Sequence, residues 1–307
     1  MSSPSVLLIG SGGYVGHFVS EQCLRNRSRL RRLAILTTEE KRSKFSDIEA
    51  RGMEIVLGPF DSPESFKGFD TVICMLGNHA MKRQPAIIDA AVSAGVNEFY
   101  PSEFGSDISQ GGYLTNRYFR DKQVTRRHLV EMAKRVPEFN YTYLLTGGFA
   151  EFALEPIFGT DIEKHTFTFY GTPDKQEPFT AIRDVSKYLV ESLFLPKSPT
   201  QERQFRVIGG LYAWGDIIDM VERIQEVKYT HTYLPQQAAV DAAAECAKKG
   251  DVDGELAFSL KALMGDTKEI GVPKPWDNDK FDIEPEGLED SLKRFFGERK
   301  GSKICLL

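Results

Sequence analysis

The sequence predicts an α/β fold, a doubly wound parallel sheet followed by a smaller C-terminal lobe. Three observations predict it. Short apolar runs alternate with amphipathic stretches over the first half of the chain. A glycine-rich turn joins the first apolar run to the first amphipathic stretch. Beyond residue 150 the alternation fades and the punctuation becomes irregular.

Ser5-Val6-Leu7-Leu8-Ile9 reads as a buried strand, and a helix follows from Val15 to Arg25. Leu33–Thr37 is the second strand. Lys44 to Arg51 reads as a helix stopped by Gly52, with Met53–Gly58 as the third strand. Asp70–Leu76 is the fourth strand, Gln84–Ala94 a helix closed by Gly95, and Glu98–Pro101 the fifth strand. Arg117–Arg135 reads as one long polar helix and Tyr141–Leu145 as the sixth strand. Phe205–Ile208 is expected to return to the sheet. Val240–Lys249 is an alanine-rich helix, Pro273–Trp276 a stiff loop and Gly287–Phe296 the closing helix. The expected division is 1–150, with a return strand near 203–209, and 151–307.

The chain has 307 residues, 41% hydrophobic and 27% charged, with a net charge of −5. That size allows one large α/β domain or two coupled lobes. The acidic balance argues against a protein built to hold nucleic acid phosphates. Cys23, Cys74, Cys246 and Cys305 show no metal-ligand spacing, so no metal site is expected, and a reduced compartment is the simpler assumption. The N-terminus shows no basic-then-apolar secretory pattern, and no apolar run reaches roughly 18 residues. Cys305 stands third from the end, where a prenylation motif needs it fourth. A cytoplasmic monomer or homodimer without membrane or nucleic-acid partners is the expectation.

The loop Gly10-Ser11-Gly12-Gly13-Tyr14-Val15-Gly16 carries the chemistry. Gly10 permits the tight turn, Gly13 lets a pyrophosphate approach the backbone, and Gly16 lets the helix pack closely. The helix start then offers N–H groups and the positive end of its dipole to phosphate oxygens. This is a Rossmann-type dinucleotide seat. No carboxylate stands at the tip of the second strand, where one would hold the 2′-hydroxyl of NAD. Thr37 is there instead, with Lys41, Arg42 and Lys44 beyond it. The expected cofactor is therefore NADP(H), with Thr37 and Arg42 near its 2′-phosphate.

Several segments resemble the isoflavone-reductase-like branch of the atypical short-chain dehydrogenases. They are the glycine loop, Gln84–Ala91, Ala94-Gly95-Val96, Phe99-Tyr100-Pro101-Ser102-Glu103-Phe104-Gly105 and Lys122–Arg127. The resemblance covers most of the chain. It implies an NADP-binding lobe and a small substrate lobe. It also implies a proton-relaying lysine at Lys122 and cofactor contacts from Gly10, Gly13, Gly16, Met75, Leu76, Gly77, Lys122 and Phe149. The neighbouring Gly148, like Gly12, Tyr14 and Val15 of the loop, is added to that set. The family usually has arginine at the place of Thr37 and threonine at the place of Gly12, and Thr146-Gly147-Gly148 also departs from it.

An unperturbed lysine titrates near about 10.4, too high for neutral acid–base work, but desolvation lowers it. Tyr118 precedes Lys122 by four residues, the Tyr-x-x-x-Lys spacing of the main short-chain dehydrogenases. Two readings compete: Lys122 acts alone, or it assists Tyr118, with Ser102 or Ser106 as a partner serine. His79, Phe104 and Phe152 are candidates for substrate contact, and Phe149, Phe158, Phe167, Phe169 and Tyr170 for an apolar pocket. Glu103 is read as orienting the loop over the cofactor, as an N-cap or as a salt-bridge partner, His128 as exposed, and Asp184 as a contact between lobes. Three functions follow: an NADPH-dependent reductase of a small aromatic or heterocyclic secondary metabolite, a dinucleotide sensor without turnover, or a non-redox acid–base enzyme such as a cyclase.

Overall fold

The structure is a computed structural model that describes residues 3–299. Cys305 lies outside the described residues. The strands are β1 (Ser5–Ile9), β2 (Arg32–Thr37), β3 (Glu54–Leu57), β4 (Thr71–Cys74), β5 (Glu98–Tyr100), β6 (Asn140–Leu145), β7 (Gly148–Phe149), β8 (Thr160–Asp161), β9 (Thr166–Tyr170), β10 (Gln176–Thr180), β11 (Glu202–Arg206), β12 (Gly210–Ala213) and β13 (Thr230–Leu234). The α-helices are α1 (Tyr14–Arg25), α2 (Ser46–Ala50), α3 (Asn78–Met81), α4 (Gln84–Ser93), α5 (Gly111–Thr115), α6 (Arg120–Arg135), α7 (Ile182–Ser192), α8 (Trp214–Gln225), α9 (Gln236–Lys249), α10 (Val252–Met264) and α11 (Leu288–Arg299).

The chain forms two compact units, each drawn from three segments rather than divided at residue 150. The first comprises 1–104, 121–144 and 185–205; the second comprises 105–120, 145–184 and 206–307.

In the first unit a seven-stranded sheet runs in the order β11-β6-β5-β4-β1-β2-β3. The pairs β1–β2, β1–β4, β2–β3, β4–β5 and β5–β6 are parallel. β1 and β4 are buried along their whole length, which is why they read as unbroken apolar runs. The sheet reverses its winding between β1 and β4, and ligands of such sheets bind where strand order reverses, beyond the carboxyl ends. Cys23 and Cys74 are packed inside, and burial pushes both thiols up to about 12, so they are inert packing groups.

The second unit has an aromatic core. Trp214 is fully buried and its ring lies 4.9 Å from Phe169, 5.6 Å from Phe179 and 6.2 Å from Phe167 between centroids. Two three-stranded sheets frame it, β12-β10-β7 and β13-β9-β8. Its loops are fastened by a buried ion pair. Lys175 Nζ donates to Glu177 Oε1 (2.8 Å) and to the Glu269 carbonyl (2.6 Å). Glu177 Oε2 accepts from Gly271 N (3.2 Å), and Glu269 Oε1 accepts from Gly112 N (2.7 Å).

Four elements differ from the sequence expectation. The segment 117–135 is not one helix: Asn116 Oδ1 accepts from Tyr118 N (3.0 Å), capping a separate 3₁₀ turn over Arg117–Phe119 before α6 begins. The segment 44–51 is a 3₁₀ stretch, Glu39–Phe45, running into the short α2. There the buried Phe45 anchors the turn while its charged neighbours stay in solvent. The return strand is β11, earlier than 205–208, and its neighbour is β6. β4 stops at Cys74 rather than Leu76; the Met75 N–H still donates to the Ile9 carbonyl (2.8 Å), and its own carbonyl comes up against Gly10.

Candidate active site in the first unit

The loop after β1 is shaped by what its glycines approach. Gly10 has φ +89°, and a Cβ there would stand 2.6 Å from the Met75 carbonyl oxygen, so the carboxyl ends of β1 and β4 touch through a residue without a side chain. A Cβ at Gly16 would lie 2.2 Å from the Gly10 oxygen and 2.6 Å from Ser11 Cα, so α1 packs onto the loop backbone itself. Gly13 differs: a Cβ would meet Gly10 O at 3.4 Å, an ordinary contact. Gly13 closes the turn by donating its N–H to Gly10 O (3.0 Å) and stands at the N-cap of α1. No side chain caps that helix and no carboxylate lies in its first turn, where Tyr14, Val15 and Gly16 sit. The Ser11 hydroxyl is buried without a hydrogen-bond partner among the described residues. Narrow backbone, uncapped amides and an orphaned hydroxyl fit a diphosphate. Gly12 is exposed, and a Cβ there would stand 3.5 Å from Phe45 Cζ.

A chain of contacts leads from this loop to Lys122. After Met75, the Leu76 carbonyl accepts from Ser102 Oγ (2.8 Å). The Ser102 N–H donates to Gln84 Oε1 (2.8 Å). The carbonyl of the next residue, Glu103, accepts from Lys122 Nζ. Burial holds the Lys122 amine below the ordinary lysine range; the Glu103 carboxylate pulls it back up, and the Arg126 guanidinium lowers it further. The structure thus links Gly10, Met75, Leu76 and Lys122 through contacts beyond the carboxyl ends of β1, β4 and β5. Gly77 and His79 follow, exposed, at and within α3. Phe104 is buried at the end of this segment.

Thr37 is buried at the tip of β2, and Arg42 is exposed and paired with Glu49 at 3.1 Å. Among the remaining named residues, Glu103 forms the salt bridge rather than an N-cap, binding Arg126 through both oxygens at 2.9 Å. His128 is half-buried against Asp89 (2.8 Å). Ser102 is committed to the Leu76 carbonyl.

Tyr118, Gly148, Phe149 and Phe152 belong to the second unit. The argument that Tyr118 and Lys122 share one helical face needs a continuous α-helix, and the 3₁₀ turn at Tyr118 breaks it. Tyr118 packs edge-on against Phe119, centroids 5.1 Å apart, beside the aromatic core. Gly147 and Gly148 are demanded by packing: side chains there would strike Pro178 and Phe179 of β10. Phe149 and Phe152 form a T-shaped pair at 5.2 Å. Asp184 accepts from Glu286 N (2.6 Å) inside the second unit. That unit also has an open groove of about 1130 Å³ beside Trp276, Ile283 and Pro285, lined by none of the sequence candidates. Sequence reasoning missed Ser11 and Arg126. Ser11 lay in plain view inside the loop, whereas Arg126 is marked only by its place one turn after Lys122.

Among the described residues no helix is long and apolar enough to cross a membrane, and no cluster of His, Cys, Asp and Glu could hold a metal ion.

The model of the NmrA-like family matches residues 2–280. Curated relatives include the oxidoreductase aprR of Aspergillus flavus, 27% identical over 252 residues, 81% of this chain and 83% of that one. Phenylcoumaran benzylic ether reductase 1 of Arabidopsis thaliana is 25% identical over 305 residues, 94% and 93% of the two chains. Among solved structures, an isoflavone reductase superposes with TM-score 0.73 at 19% identity, covering 95% of this chain and 99% of that one. The leucoanthocyanidin reductase–NADPH complex from Vitis vinifera gives TM-score 0.72 at 19% identity, with coverage of 95% and 99%. These structural likenesses establish a shared Rossmann-type fold.

Proposed function

The chain belongs to the NmrA-like family, and from that premise we propose that it is an NADP(H)-dependent oxidoreductase acting on a small aromatic or heterocyclic metabolite. The observation that supports the reading is the run of contacts from Gly10 through Met75, Leu76, Ser102 and Glu103 to Lys122, which links a buried amine to the loop read as a diphosphate seat. Relatives named as reductases and a fold neighbour crystallised with NADPH support it.

In this reading the backbone of Gly10, Gly13 and Gly16 and the start of α1, with Tyr14 and Val15, hold the diphosphate. Met75, Leu76 and Gly77 flank the path toward Lys122. Arg42, exposed beyond β2, takes the 2′-phosphate; its surface pairing with Glu49 is weak enough to yield. Bound NADPH supplies a hydride. The chain supplies the proton: Lys122 Nζ gives it to the reduced substrate, and burial makes the amine release it more readily than a solvated lysine would. Lys122 works without Tyr118, which packs against Phe119.

The test has two arms. Fluorescence titration should give saturable NADPH binding, tighter than NADH. A screen of aromatic enones, imines and benzylic ethers should reveal NADPH consumption that Lys122→Ala lowers by about 100-fold or more while binding persists. Absence of NADPH binding sinks the reading; full activity in Lys122→Ala removes Lys122 from its role.

A further inference from the structure

Lys122 and Arg126 stand one turn apart on α6 and grip the same residue. Lys122 donates to the Glu103 backbone, and Arg126 binds the Glu103 side chain through two parallel bonds of 2.9 Å. The pair is buried, the carboxylate side chain 1% exposed and the guanidinium 10%. The guanidinium also lies over the Tyr143 ring, 4.4 Å from its centroid. From the other side the segment is pinned at Ser102, whose N–H and hydroxyl bind Gln84 and the Leu76 carbonyl, and the Glu103 N–H turns back onto the Pro101 carbonyl (2.8 Å).

A buried ion pair contributes little net stability, because the desolvation of both partners cancels most of their attraction. An apolar pair of the same volume would hold α6 to this segment as well. What the fork of a guanidinium adds is direction, since two parallel bonds fix a carboxylate in rotation as well as in distance. Fixing the Glu103 side chain fixes the peptide that follows its Cα, and the carbonyl of that peptide is the one that receives Lys122 Nζ.

We propose that Arg126 and Glu103 are positioning residues: their two-point ion pair, with Ser102 held at its other flank, aims the Glu103 carbonyl that fastens the Lys122 amine. The catalytic meaning of that aim rests on the function proposed above; the aim itself does not. Arg126 positions the amine through Glu103, besides lowering it by its charge. Lysine at 126 would keep the charge and lose the fork. Glutamine at 103 would keep the shape and lose the charge.

The test uses the full chain with ¹⁵N-labelled lysine. The Lys122 Nζ resonance is identified by its loss in Lys122→Arg, and its proton exchange with water is measured at pH 6. In the unsubstituted chain exchange should be slow. Arg126→Lys and Glu103→Gln should each speed it about tenfold or more, and Arg126→Met further still, with NADPH affinity changed less than twofold. Once a substrate is found, the same variants should lose kcat by about 100-fold at nearly unchanged KM. Exchange as slow in Arg126→Lys and Glu103→Gln as in the parent, even with a lowered Tm, overturns the proposal and leaves the pair a structural tie. If Arg126→Met fails to fold, the two conservative variants still decide. Because the exchange is read without cofactor, a chain that binds no NADPH would defeat the proposed function and leave this result standing.

Discussion

The glycine loop of the first unit and the Lys175–Glu177 knot of the second solve the same problem with opposite means. Both bring distant segments into register. The loop does it by leaving side chains out, so that Gly10 meets Met75 and Gly16 meets Gly10 and Ser11, backbone on backbone. The knot does it by burying charge, tying β10 to the Glu269 carbonyl, Gly271 and the Gly111–Gly112 turn. Shape of the first kind tolerates no added atom. Shape of the second kind tolerates replacement of the whole knot but not of half of it.

That contrast is most exposed at Lys175. Lys175→Met leaves Glu177 buried and unpaired, where burial already raises its carboxyl, and should cost about 3–5 kcal/mol in urea unfolding. The double variant Lys175→Met/Glu177→Leu should recover most of that loss; no recovery would mean the knot is not an ion pair in effect. Next in size, Gly16→Ala forces the α1 start off the loop and should cost about 1–3 kcal/mol. Gly13→Ala should unfold with the parent and lose NADPH affinity about tenfold, because a methyl would stand where the phosphate approaches. Equal destabilisation by both would erase the distinction between packing glycine and ligand glycine.

A smaller effect separates buried from surface charge. Lys228, the Tyr229 N–H and His231 hold the Glu222 carboxyl down to about 2, although Lys228 is itself largely exposed. A carboxyl depressed in the folded state adds stability above its unfolded value of 4.5, and that stability drains away as pH falls from 4.5 toward 2. Glu222→Gln should therefore flatten the acid limb of a Tm-against-pH curve and change little only near pH 2 and below. Smallest of all, Arg42→Ala should leave unfolding within about 0.5 kcal/mol of the parent. It should weaken NADPH relative to NADH only severalfold, and an unchanged ratio would move the 2′-phosphate away from Arg42.

The same contrast explains what could be seen in the sequence. β1, β4 and the glycines between β1 and α1 were legible because each is dictated by neighbours in the chain: an unbroken apolar run, a turn, a helix start. Lys122 stands out in the sequence through its family motif, and its role belongs to the function proposed above. Its grip on Glu103 was not legible, because the partner lies 19 residues away and the contact is to a carbonyl that no residue type announces. The spacing of four between Tyr118 and Lys122 implies a shared face only inside one helix, and the Asn116 cap starts a different kind of turn at Tyr118. The return of a strand near 203–209 is expected from the sequence and β11 joins β6 there, whereas the assignment of 105–120 to the second unit rests on contacts between segments distant in the chain.

That late strand sets the order of events during synthesis. A chain leaving the ribosome has made β6 long before β11, so the edge of β6 stays open, its amides and carbonyls available to any other strand. The first unit becomes a closed product only after Phe205 has emerged, by which time two segments of the second are already out. Nascent chains halted between β6 and β11 should therefore be the ones that chaperones hold longest.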